Sequence, residues 1–115
     1  MPILKATDQS LPADVRRHLQ RLGQSIKLSR KRRDMTQAML AQAMFTTRQT
    51  VARLERGDPA IAWSTFLLAI FCLQRKDELE NFLTPEQDRL GMALGIQKQA
   101  KRQLVRQKKE DDLDF

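Results

Sequence analysis

The sequence predicts an all-α protein: a compact bundle of about five short helices followed by a charged C-terminal tail. Three observations predict it. Apolar residues recur at spacings of three and four through much of residues 14–83, strand-like alternation is absent, and Pro12, Gly57-Asp58-Pro59 and Pro85 punctuate the periodic segments. The chain therefore divides into an irregular N-terminal segment (1–13), a helical domain (14–83) and a C-terminal extension (84–115).

Taken in order, residues 1–13 carry Pro2 and Pro12 and no periodicity. Asp14 is the expected cap of the first helix, offering a carboxylate to unpaired backbone N–H groups. From there Val15, Leu19, Leu22 and Ile26 form one helical stripe, with Arg16, Arg17, Arg21 and Lys27 on other faces. Gly23 costs about 1 kcal/mol relative to alanine in such a helix, so the close approach of another backbone is the expected reason for it. The helix runs out in SRKRRD, whose cations complement the negative end of its dipole.

Thr36 then introduces a run of good helix formers, Gln37 to Met44, with Leu40, Ala41 and Met44 facing inward. Phe45-Thr46-Thr47 interrupts it. Thr47 caps a third helix with Val51 and Leu54 inside, and Gly57-Asp58-Pro59 stops that helix. A fourth helix from Ser64 to about Leu73 is apolar nearly all round and is placed in the core. A short fifth helix spans Asp77 to Leu83, with Leu79, Phe82 and Leu83 inward.

Beyond Pro85 the composition shifts. Leu90, Met92, Leu94 and Ile96 are accompanied by two glycines, a weak helix signal. QKQAKRQLVRQKK then carries six cations and no acid, and EDDLDF ends the chain with four acids. So little apolar mass predicts a tail that is partly disordered when alone.

Charge gives the first functional direction. The chain has 115 residues, a formal net charge of +7 and a pI near 10.2. Residues 1–83 hold 14 Lys/Arg against 8 Asp/Glu, whereas residues 84–115 hold 7 against 6. Such an excess favours a polyanionic partner, nucleic acid or an anionic surface. Membrane-surface binding by residues 98–109 is disfavoured because Leu104 and Val105 make too small an apolar face. No apolar run is long enough to span a bilayer, and Met1-Pro-Ile-Leu-Lys opens no signal peptide.

Chemistry is not expected. There is one histidine, one cysteine, no Gly-rich phosphate loop and no metal-ligand spacing. His18 reads as a surface residue, and Cys72, inside WSTFLLAIFCL, as a buried structural thiol suited to a reducing cytoplasm. No enzyme activity, cofactor or metal is therefore predicted.

The constellation that carries function is the second and third helices with their short turn, a helix-turn-helix arrangement. A helix entering the major groove must bury one side, here Val51 and Leu54, and present the other. Arg48, Gln49, Ala52 and Arg53 occupy that outer arc, each pair 48/52 and 49/53 one turn apart. Arginine reaches guanine O6 and N7 bidentately, glutamine reaches adenine N6 and N7, and small Ala52 permits close approach. Thr50 either touches the duplex or packs. Glu55, which phosphate would repel, is expected to point away and be paired.

An ordered set of residues completes this picture: Leu22-Gly23, Ile26 and Arg30; Met35-Thr36-Gln37 and Leu40-Ala41; Thr47-Arg48-Gln49-Thr50-Val51 and Leu54-Glu55-Arg56-Gly57; then Ser64 and Leu67. Through this set the span Leu22 to Phe82 resembles the Cro/Xre-type helix-turn-helix family, the lambda-repressor-like bundle of phage repressors and many bacterial regulators. The resemblance implies a buried Arg30–Glu55 pair, and DNA-backbone contacts by Gln37 and around Ser64. Two positions depart from it. Phe45 stands where the family often has glycine, so the turn avoids positive φ, tolerates strain, or uses Phe45 as an anchor. Met39 replaces the glutamate of a capping box, leaving Thr36 as the sole cap.

TVARLERGDPAIAWSTFL, with the basic tail ending in Asp-Asp-Leu-Asp-Phe, is similar to HipB-like antitoxins. That similarity implies a homodimeric repressor of its own operon, partnered by a HipA-like kinase toxin, in the bacterial cytoplasm and nucleoid. The expected target is a palindromic duplex site with half-sites about 34 Å apart, and Phe82 to Leu94 is the expected dimerisation region. Two alternatives stay open: a stand-alone regulator, and an interaction module in which Leu113 and Phe115 anchor the tail on a partner.

Overall fold

The computed structural model describes residues 10–113. Five α-helices follow in order: α1 (Ala13–Arg32), α2 (Gln37–Ala43), α3 (Arg48–Glu55), α4 (Trp63–Cys72) and α5 (Arg89–Leu113), with short 3-10 turns at Lys76–Leu79 and Pro85–Gln87. Among the described residues there is no strand. The protein is all-α. The chain divides between Lys76 and Asp77 into two compact units.

In the first unit the core is Ile26, Leu40, Ala41, Met44, Val51, Leu54, Ala69 and Leu73, with Met35, Ile61, Phe66 and Cys72 packed against it. Leu40, Met44, Val51 and Leu73 are fully buried, each worth about 1.5–3 kcal/mol of apolar burial. The apolar faces predicted for α2 and α3 are the faces that pack. Thr36 caps α2 by accepting from the Met39 N–H at 3.0 Å, and Thr47 caps α3 by accepting from the Thr50 N–H at 3.2 Å.

Two glycines let the helices close on one another. A Cβ at Gly23 would stand 2.5 Å from the Glu55 carbonyl oxygen, so α1 crosses the end of α3 backbone to backbone. At Gly57, with φ +76°, a Cβ would stand 2.7 Å from the backbone of Leu19 and Gln20.

All four helices of this unit end in the same way. Asp34, Phe45, Gly57 and Gln74 follow the C-caps of α1 to α4 with φ of 54°, 55°, 76° and 60°. In each case the next N–H bonds back across the final turn: Met35 to Arg30, Thr46 to Ala41, Asp58 to Arg53 and Arg75 to Ile70. These are Schellman caps, which satisfy carbonyls the helix leaves open. Only one of the four uses glycine.

Several expectations are corrected. Asp14 does not cap α1; Pro12 precedes the helix without a side-chain bond, and Asp14 lies in the first turn, paired with Arg17. Val15 and Leu22, expected inside, are exposed, because only the C-terminal half of α1 lies on the core. Helix α4 begins at Trp63 with Ala62 at its cap position, and only Ala69 within it is buried. Trp63 and Phe71 stay 61% and 53% exposed, so an apolar sequence did not make α4 a central helix.

In the second unit, the helix expected at Asp77 to Leu83 is replaced by the turn at Lys76–Leu79, and Phe82 and Leu83 are exposed. Within the extension, which is expected to be partly disordered when alone, Arg89–Leu113 forms a helix. Nothing in it is buried, so local terms account for it. Asp88 accepts the Gly91 N–H at 2.9 Å as an N-cap, Gln107 donates to Asp111 at 3.3 Å, and Ala, Leu, Lys, Arg and Gln are strong helix formers.

Candidate nucleic-acid interface

The turn between α2 and α3 sets the outer helix. Phe45 takes up φ 55° and is 97% exposed, so it tolerates a strained backbone and anchors nothing in the core. Thr47 then starts α3, its hydroxyl 3.0 Å from that of Thr50. That bond turns Thr47 and Thr50 toward each other at the helix start, where both also serve the cap.

On the outer arc Arg48 and Gln49 are exposed, and Thr50, Ala52 and Arg53 are half-buried. Val51, Leu54 and Glu55 are buried on the opposite side. The division by face follows from the 3.6-residue repeat, and it leaves Arg48 and Gln49 as the long polar side chains projecting most freely.

Arg53, expected among the DNA contacts, is held by an acid of its own chain while its side chain stays 43% exposed. Its Nε donates to Asp58 Oδ2 at 2.8 Å, and Asp58 Oδ1 accepts the Ala60 N–H at 2.9 Å. The Ala60 N–H and, after it, Arg53 hold the Asp58 carboxyl below its ordinary range. Asp58 therefore clamps the loop after α3 to the helix. Sequence spacing concealed this pair, since residues five apart are not neighbours on a helix.

Beneath α3 lies a buried brace. Arg30 donates through Nε to Glu55 Oε2 at 2.7 Å and through Nη2 to Oε1 at 2.9 Å, and its Nη1 donates to the Met35 carbonyl at 2.8 Å. The side chains are 8% and 3% exposed. The Glu55 hydrogen bond is the main cause raising the Arg30 pKa, with burial opposing it. Gln37 joins this network, its Nε2 donating to Glu55 Oε1 at 3.1 Å. The side chain expected at the DNA backbone is thus half-buried and tied to the brace.

Ser64 is exposed in the first turn of α4, one residue after the helix start at Trp63. Leu113 is exposed at the end of α5, and Phe115 lies outside the described residues. Cys72 is half-buried, its thiol directed to the Ala43 carbonyl at 3.6 Å, and burial pushes its pKa up. Among the described residues no group of three or more His, Cys, Asp or Glu could hold a metal ion, and no helix is long and apolar enough to cross a membrane.

A search of curated proteins finds no match to the chain. Residues 26–62 match the helix-turn-helix family. The matched segment runs from the middle of α1 to the residue before α4, and so contains the brace, both caps, the turn and the outer arc. Over that segment the chain is similar to helix-turn-helix domains.

Proposed function

We propose that the protein is a sequence-specific transcriptional repressor that inserts α3 into the major groove. Arg48 and Gln49 contact base edges, and Thr47, Thr50, Arg53 and Ser64 serve backbone and flanking contacts. Gln37 lies at the start of α2, where a phosphate would draw it from Glu55. The observation that carries this proposal is the exposed pair Arg48 and Gln49 on a helix whose other face is locked by Val51, Leu54 and the Arg30–Glu55 brace. A rigid mount fixes side-chain direction, which base recognition requires.

One such domain covers few base pairs, which supports a homodimer on a palindromic site. Exposed Phe82, Leu90, Met92 and Leu94 supply apolar surface for that contact. The antitoxin role, with a HipA-like kinase as partner, rests on the similarity of TVARLERGDPAIAWSTFL and the acidic end to HipB-like antitoxins.

Selection from a random duplex library tests the DNA-binding role. The wild type is expected to enrich a two-fold symmetric sequence. Arg48→Ala should lose roughly 1–3 kcal/mol of preference for it over a scrambled duplex, with an unchanged melting curve. Failure of the wild type to enrich any sequence would remove the role. Purification from the native cells tests the partner: without a co-purifying kinase the antitoxin role is lost and DNA recognition stands.

A further inference from the structure

The helix-turn-helix match begins at Ile26, yet α1 begins at Ala13. The extra turns are continuous with the matched part of the helix. They are also packed: Gly23 meets the backbone of Leu54 and Glu55, and Gly57 meets that of Leu19 and Gln20. Two backbone approaches hold the added segment against the end of α3, so its outer side chains have a defined direction.

Those side chains line an open groove of about 1060 Å³. Arg17, Arg21 and Lys27 come from α1, and Arg56 closes the end of α3. Gln20 and Gln24 lie between the arginines on the same helix. The one carboxylate lining the groove, Glu55, is committed to Arg30. Arg17 shares an exposed pair with Asp14, whereas Arg21, Lys27 and Arg56 form no ion pair among the described residues. The groove also reaches Gln37 and Ala52, and so adjoins the outer arc of α3.

We propose that this groove takes the sugar–phosphate backbone of the bound duplex, flanking the base pairs contacted by α3. Arg17, Arg21, Lys27 and Arg56 contact phosphates there. The proposal rests on α3 docking duplex DNA. From residue 17 to residue 27 the helix rises about 15 Å, a span suited to a row of phosphates and too long for a single small anion. Contacts of this kind add affinity and salt dependence without sequence preference.

The test measures binding of the full chain to two fluorescein-labelled duplexes, the selected site and a random sequence, between about 50 and 200 mM salt. For Arg17→Gln/Arg21→Gln the slope of log affinity against log salt should become shallower by about 2, at about 0.9 per phosphate contact. Affinity for both duplexes should fall by the same factor, leaving discrimination intact. Arg56→Gln should lower the slope by about 1, and Arg17→Lys/Arg21→Lys should retain the wild-type slope. Thermal melts matching the wild type separate these effects from unfolding. An unchanged slope in the glutamine variants, while Arg48→Ala still loses discrimination, overturns the groove assignment and leaves recognition by α3 standing. A wild type that binds neither duplex overturns both.

Discussion

Replacing Glu55 with alanine removes the acceptor of three hydrogen bonds at once, two from Arg30 at 2.7 and 2.9 Å and one from Gln37 at 3.1 Å. Arg30 remains, its side chain only 8% exposed, with the Met35 carbonyl at 2.8 Å as its surviving partner. A buried charge stripped of its counter-charge costs about 3–5 kcal/mol. A domain of this size shifts by about 4–8 °C in Tm for each kcal/mol, so the lower bound corresponds to a fall of roughly 12 °C. The Arg30 pKa is raised by the bond to Glu55, so this arginine's contribution is complete below its unfolded value and is lost only as pH rises through the folded value. That value is far above working pH, and the arginine side of the deficit is therefore flat with pH near neutrality. Thermal melts by circular dichroism measure the fall, and Arg30→Met/Glu55→Leu provides the control. Removing both charges and filling their space should recover most of the loss, because the penalty lies in the stranded cation. If Glu55→Ala melts within about 2 °C of the wild type, the brace contributes nothing. If the double variant is as unstable as the single one, lost packing rather than a stranded charge is responsible.

Phe45→Gly should stabilise the domain. A bulky residue at φ 55° costs about 1–2 kcal/mol, of which glycine's added chain entropy returns roughly 0.5–1, and no packing is lost from a side chain 97% exposed. The net gain of about 1 kcal/mol should raise Tm by about 4 °C or more, and a lower Tm would contradict it. Asp58→Asn should destabilise the loop in a pH-dependent way. The Asp58 pKa is depressed by the Ala60 N–H and then by Arg53, so its contribution is present above the unfolded value of about 3.9 and is lost as pH falls through the folded value. Urea midpoints of wild type and variant should differ steadily near neutrality and draw together as pH falls below the unfolded value; a gap that does not narrow there would refute the assignment.

The local sequence by itself determined the parts of the site that obey helical periodicity or capping chemistry. Val51 and Leu54 had to face inward, Arg48 and Gln49 outward, and Thr36 and Thr47 had the oxygens that helix starts require. Gly23 signalled a backbone crossing, because no other residue fits one. The Arg30–Glu55 pair, 25 residues apart, was legible only through resemblance to a family.

Tertiary structure decided the rest, for reasons that no local pattern encodes. Phe45 and Gln74 take left-handed caps that side-chain identity argues against, since the neighbouring helices determine where each chain must turn, whereas Asp34 is of a type that tolerates one. Helix α4 has an apolar sequence yet buries only Ala69, because burial depends on which partners reach it. Arg53 turns to Asp58 and Gln37 to Glu55 because folding brings acceptors within hydrogen-bond range that the sequence places elsewhere. The basic groove arises the same way: Arg17, Arg21, Lys27 and Arg56 become one surface only where α1 crosses the end of α3. Periodicity dictates which face a residue occupies, and only packing dictates what that face meets.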